Sequence, residues 1–198
     1  MADERKHIRT FIAVDVNASV AQRVEALQAA LAKTRADVRW VDNHNLHVTL
    51  KFLGPTPEED VPPVTEAIAR IAGRHQPWKV EVRGVGAFPS FRRPRVLWLA
   101  VHDDGKLAEV AHELDEALVP LGFAPEQRPF QPHLTLGRVR SLQRWEALEK
   151  EVKAHLEESF GESVVEELIL YRSDLRPTGA VYTPLWKTHL GETKGDET

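Results

Sequence analysis

Two four-residue runs of the same form, His47-Val-Thr-Leu50 and His133-Leu-Thr-Leu136, constrain this chain more than any other feature. Side chains alternate between faces in extended chain, so each run sends an imidazole and a hydroxyl one way and two aliphatics the other. Such a strand needs a core on one face and leaves a polar surface on the other. The setting repeats as well: 33 residues separate Val14 from His47, and 33 separate Ala100 from His133. Each interval reads as strand, capped helix, then histidine strand. The repeat predicts two similar units facing one another across a polar cleft.

The rest of the chain fits that frame. Arg9 to Asp15 reads as a strand, and Asn17 or Ser19 caps a helix carrying Val20, Val24, Leu27 and Leu31. Val38 to Asp42 and Leu46 to Leu53 look extended, and Pro57 with Glu58, Glu59 and Asp60 opens a second helix. Val80 to Phe88 and Val96 to His102 read as strands, followed by a helix capped at Asp103 or Asp104 and carrying Leu107, Val110, Leu114, Leu118 and Leu121. After a loop with Gly122 and Pro125, Gln131 to Val139 forms a strand and Ser141 caps a fourth helix. Val164 to Tyr171 and Ala180 to Trp186 supply the last strands. One bilobal domain over residues 1–190 and a polar tail over 191–198 are expected.

Composition removes several classes of function. With 198 residues and 42% hydrophobic side chains the chain buries a real core. No cysteine is present, which excludes disulfides, thiolate nucleophiles and cysteine-bound zinc. No apolar run reaches the roughly 18 residues of a membrane helix, and the charged N-terminus lacks a signal core, so a soluble, cytoplasmic protein is expected. A net charge of -4 argues against a protein that coats nucleic acid, though not against one that grips a single phosphorylated end.

Two imidazoles flanking one phosphorus suit a displacement in which one takes a proton from the attacking oxygen and the other protonates the leaving oxygen. The reference pKa near 6.5 lets one neutral and one charged imidazole coexist around neutral pH, and no cofactor or metal is required. Thr49 and Thr135 share the histidine faces and are placed to donate to non-bridging phosphate oxygens.

His47-Val-Thr-Leu-Lys-Phe-Leu-Gly54 and Pro132-His-Leu-Thr-Leu-Gly-Arg138 resemble the paired HxTx motifs of the 2H phosphoesterases, and most closely those of the RNA 2′,3′-cyclic phosphodiesterases, the 2′-5′ RNA ligase group. Arg9 to Ala13, Phe88-Pro89, Pro94 to Trp98, and Leu170 to Tyr182 with Ser173, Leu175 and Gly179 resemble the remaining blocks of that group. The resemblance implies an α+β fold of two pseudo-twofold lobes, with two mostly antiparallel sheets, helices outside, and one HxTx strand from each lobe at a central cleft. It implies hydrolysis of a terminal RNA 2′,3′-cyclic phosphate to a 2′-phosphate without a metal, with ligation of 2′-5′ bonds as the reverse reaction. It also implies that His47 is the proton donor and His133 the acceptor; the residues alone leave these two roles open.

Continuing the alternation, Lys51 shares the face of His47 and is a candidate phosphate contact, while Phe52 falls on the core face. Arg138 is a further candidate phosphate contact, provided that Gly137 admits a bulge that turns it toward His133. Phe88, Phe91, Arg92, Arg93 and Arg95 form a loop suited either to single-stranded RNA or simply to solvent.

Other readings start weaker. A metallohydrolase would need ligands at metal-binding spacing, yet His112-Glu113 is followed by Glu116 where a zincin needs His, and His44 and His47 face opposite sides. Gly84-Val-Gly86 lacks the rest of a dinucleotide fingerprint and no Walker loop occurs. A non-catalytic nucleotide- or RNA-binding module, or a phosphodiesterase for small cyclic nucleotides or an ADP-ribose cyclic phosphate, stays open. A monomer is expected, because the two units already supply both halves of the site.

Overall fold

The computed structural model describes residues 6–177 and 179–192. In chain order it contains β1 (His7–Asp15), α1 (Ala18–Ala32), β2 (Val38–Trp40), β3 (His47–Pro57), α2 (Val61–Ala72), β4 (Trp78–Phe88) and β5 (Val96–His102). Then follow α3 (Lys106–Leu118), β6 (His133–Val139), α4 (Trp145–Lys153), β7 (Ser159–Val165), β8 (Glu167–Arg176) and β9 (Gly179–His189). No helix is long and apolar enough to cross a membrane among the described residues. Most of the tail expected over 191–198 lies outside the described residues.

Local chemistry accounts for most boundaries. Asn17 caps α1 by accepting the Val20 N–H at 2.9 Å; at α3 the cap position is held by Gly105 and not by Asp103 or Asp104, while Asp103, two residues earlier, accepts from Leu107 N–H at 2.7 Å. The acidic run 58–60 forms a 3-10 turn, so α2 begins at Val61 and takes Pro62 and Pro63 into its first turn. Ser141 does not cap the fourth helix. Arg144, in the left-handed region at φ 57°, precedes α4, and Ser141 accepts from Gln143 N–H at 3.4 Å.

The strands form one antiparallel sheet in the order β7-β4-β5-β6-β3-β1-β8-β9, with β2 added beside β6. Its two halves, β3-β1-β8-β9 and β6-β5-β4-β7, meet at a single register pair, Val48 with Leu134. The α+β, two-lobed arrangement is thus present, and the two expected sheets join edge to edge. The 33-residue match is one position out of structural register, because His47 pairs with Asp15 whereas His133 pairs with Ala100.

The two units exchange parts. Helix α1 follows β1 but packs on β7 and α4, in the other half-sheet, while α3 follows β5 and packs on β3 and α2. Strand β4 likewise closes the first unit yet pairs with β5, and β8 comes back to pair with β1. A continuous core of buried aliphatics, including Ile12, Val24, Ile68, Leu99, Leu114 and Leu134, lies between sheet and helices.

Candidate active site

Each histidine strand carries one extra residue at the same place in its motif. Ile12 and Ala13 oppose Lys51 and Thr49, leaving Leu50 unopposed; Leu97 and Trp98 oppose Gly137 and Thr135, leaving Leu136 unopposed. A bulge of this kind reverses the alternation beyond it. Lys51 and Gly137 therefore turn inward, Lys51 still bordering the cleft from its buried position, and Phe52 and Arg138 turn outward into it.

Two expectations change accordingly. Lys51 does not continue the His47 face: it is 6% exposed, paired with Asp115, and donates to the Ala124 carbonyl at 2.7 Å. Phe52 does not pack in the core: it is 61% exposed, with its ring 6.0 Å from that of Phe11. Arg138 meets the condition set for it, although the bulge lies at Leu136 and not at Gly137.

The register that pairs Val48 with Leu134 sets His47 abreast of Thr135, and Thr49 abreast of His133, on one face. Both imidazoles are held alike. His47 Nδ1 donates to the Asn45 carbonyl and His133 Nδ1 to the Gln131 carbonyl, each at 2.7 Å and each two residues back. A carbonyl only accepts, so the neutral form of either ring keeps its proton on Nδ1 and leaves Nε2 as the basic atom. The Thr49 hydroxyl donates to His47 Nε2 at 3.0 Å. Thr135 has no comparable bond among the described residues.

Aromatic rings wall in both histidines. Phe11 lies 4.8 Å from His47 and Tyr182 meets it edge-on at 5.1 Å; Phe88 meets His133 edge-on at 5.1 Å, backed by Trp98. Burial pushes the His47 pKa down to about 4, with the nearby His133 adding to the effect and the Asn45 carbonyl opposing it. His133 is also lowered, by burial and then by the Arg138 charge, against the Gln131 carbonyl. The sequence reading missed these rings and carbonyls. Its only hint was an aromatic residue at Phe11, Phe88, Trp98 and Tyr182 in the blocks flanking the motifs.

The cleft is an open space of about 2820 Å³ lined by both histidines and both threonines. Among the described residues, Lys51 and six arginines, Arg9, Arg39, Arg93, Arg95, Arg128 and Arg138, line it with three acids, Asp42, Asp115 and Glu126. A basic cleft therefore sits in an acidic chain, and it focuses anions. Of the loop proposed for RNA, Phe88, Arg93 and Arg95 line the cleft, whereas Phe91 packs against the core and its carbonyl accepts from Trp145 Nε1 at 3.1 Å. No three His, Cys, Asp or Glu side chains are grouped to hold a metal ion among the described residues.

Comparison with known proteins gives a consistent picture. Residues 14–177 match the 2′-5′ RNA ligase superfamily. The RNA 2′,3′-cyclic phosphodiesterase of Archaeoglobus fulgidus is 36% identical over 178 residues, which cover 90% of this chain and 98% of that protein. That of Thermus thermophilus is 37% identical over 188 residues, covering 87% and 89%. The crystal structure of TT0787, also from Thermus thermophilus, superposes with a TM-score of 0.80 at 30% identity, covering 93% of this chain and 98% of the other. E. coli LigT complexed with 3′-AMP superposes at 0.70 with 26% identity, covering 94% and 100%. A match that runs from the first strand to the β8–β9 turn, shared with relatives of almost the same length and fold, makes this chain a member of the 2′-5′ RNA ligase superfamily.

Proposed function

We propose that the protein hydrolyses the 2′,3′-cyclic phosphate at the end of an RNA to a 2′-phosphate by two-histidine acid–base catalysis, with no metal ion taking part. The observation that carries this reading is the matched pair of imidazoles, each locked through Nδ1 so that Nε2 is its reactive atom at one anion-attracting cleft. His133 Nε2 removes a proton from water as the water oxygen bonds to phosphorus. The P–O3′ bond breaks, and the proton on His47 Nε2 passes to O3′. These roles are the ones that the family resemblance carries. A protonated His47 Nε2 no longer accepts from Thr49, so that hydroxyl is released to donate, with Thr135, to the non-bridging oxygens.

The test is incubation of the protein, in excess chelator, with a short RNA ending in a 2′,3′-cyclic phosphate, followed by identification of the product. A 2′-phosphate is expected. Turnover only on small cyclic nucleotides, or only after metal is added, would overturn the reading.

The acid–base pair also sets the pH dependence. The working form of the free protein carries one proton on the pair: a second proton blocks the base, and loss of the first removes the acid. Both imidazoles are lowered, so kcat/KM, which reports the free protein, peaks below pH 6.5. A bound phosphate anion favours the charged imidazole, so the kcat optimum lies at higher pH than that of kcat/KM. A pH–rate series over both parameters checks this; a kcat/KM optimum above pH 7 counts against it.

Phe52 and Arg138 occupy equivalent places after the two bulges, one offering a ring face and the other a guanidinium. Arg138→Ala and Phe52→Ala are each expected to lower kcat/KM on an RNA end by roughly tenfold, mainly through KM, the magnitude of one charged hydrogen bond or one stacked base. Steady-state kinetics on an oligonucleotide and on a mononucleoside cyclic phosphate measures the effect and shows which contact depends on RNA length.

A further inference from the structure

The two inward-turned residues, Gly137 and Lys51, stand at equivalent positions but look unrelated in chemistry. Gly137 pairs with Trp40 of β2, and a Cβ there would come within 2.7 Å of Val38 Cγ1, so its bare backbone is what admits β2 against β6. From β2 the chain runs to Asn45, whose carbonyl holds His47. Gln28 tightens the same strap by donating from Nε2 to the carbonyls of Val41 and Leu136, both at 2.9 Å. The segment entering His47 is thus fastened to the strand of His133.

The segment entering His133, residues 122–132, forms no strand, and at its end the Pro132 carbonyl accepts from Val101 N–H of β5 at 3.2 Å. Its fastening to the opposite histidine strand is by side chains. Lys51 Nζ binds Asp115 and the Ala124 carbonyl, and the same Asp115 Oδ1 accepts the Glu126 N–H at 2.9 Å. Glu126 Oε1 in turn accepts from Gln127 and Arg128 N–H at 3.0 and 3.1 Å. Pro129 stiffens the short run from there, and Pro132 restricts the backbone of Gln131, whose carbonyl holds His133. An apolar side chain would fill position 51 at less desolvation cost than a buried ammonium, so stability alone does not account for a lysine there.

We propose that Lys51 is a positioning residue for His133, acting through Asp115 and the 122–132 segment as the counterpart of the Gly137–β2 strap that positions His47. The two histidines then brace one another across the lobes, each strand holding the segment that aims the other ring. The kinetic part of this inference rests on the two-histidine reading; the imidazole part does not.

Lys51→Met, Asp115→Asn and the double variant test it, each followed by melting temperature, kcat and KM, and NMR of the imidazole nitrogens. Lys51→Met leaves Asp115 unpaired and lowers the melting temperature; the double variant removes both charges and regains most of it. The kcat on the cyclic-phosphate RNA end falls ~10- to 100-fold in both, with KM changed less, because a misplaced base costs rate even where the fold is restored. The His133 Nδ1–H signal and titration shift, while the His47 Nδ1–H signal stays and its titration moves only as far as its coupling to His133 carries. Recovery of kcat together with stability in the double variant, a rise in KM alone, or an unmoved His133 signal would each overturn the proposal. Absence of turnover in the unsubstituted protein would instead remove the proposed activity and leave the imidazole test standing.

Discussion

His47→Ala and His133→Ala each lower kcat on a cyclic-phosphate RNA end by about 10²- to 10⁴-fold, the range of one general acid or base. Their effects do not multiply. Once one imidazole is gone the other has no partner for the concerted transfer, so the double variant is hardly slower than either single one. Both rings are half-buried at the cleft and outside the aliphatic core, so circular dichroism and the melting temperature change little. Single-turnover rates for the three variants provide the check. A single variant with near-native kcat would remove that histidine from the chemistry.

The second large effect comes from a residue that touches no substrate. Gly86 of β4 pairs with Trp98 of β5, and a Cβ at position 86 would lie 2.2 Å from Trp98 Cζ2. The indole is a rigid plate with no flexible end to yield. It is stacked on Phe88 at 4.8 Å, and Phe88 in turn meets His133 edge-on. Gly86→Ala is therefore expected to displace the indole, cost about 1–3 kcal/mol of stability as overpacking does, and lower kcat through the wall behind His133. Chemical denaturation and kinetics measure the two parts. A variant with native stability and rate would show that the Trp98 ring shifts freely, contrary to its stacking.

The proposed acid–base pair was legible as a candidate because a repeat of His-x-Thr on matched elements has few meanings, and because alternation holds from His47 to Thr49 and from His133 to Thr135. Alternation breaks at Leu50 and Leu136. Leucine carries no mark of a bulge, and one unopposed residue sends everything after it to the other face. That is why Lys51 and Phe52 exchanged their expected places, while Arg138 was foreseeable only because Gly137 raised the possibility of an irregular strand. Strand β7 went unseen for the same physical reason. Its register shifts beside Gly161, at φ 105°, so the buried positions Phe160, Ser163 and Val165 break the two-residue period. The carbonyls of Asn45 and Gln131 belong to the backbone, and any residue type would supply them.

The exchanged helices bear on how the molecule comes apart. Since α1 roofs the half-sheet of the second unit, and α3 shares with α2 the cover of the first, neither unit unfolds without uncovering part of the other's core. Losing one exposes the aliphatic face of its neighbour, at a cost of roughly 25 cal/mol for each Å² bared. Two lobes that look separable by eye therefore melt as one cooperative unit, with a single calorimetric transition and no half-folded species between the native and unfolded states.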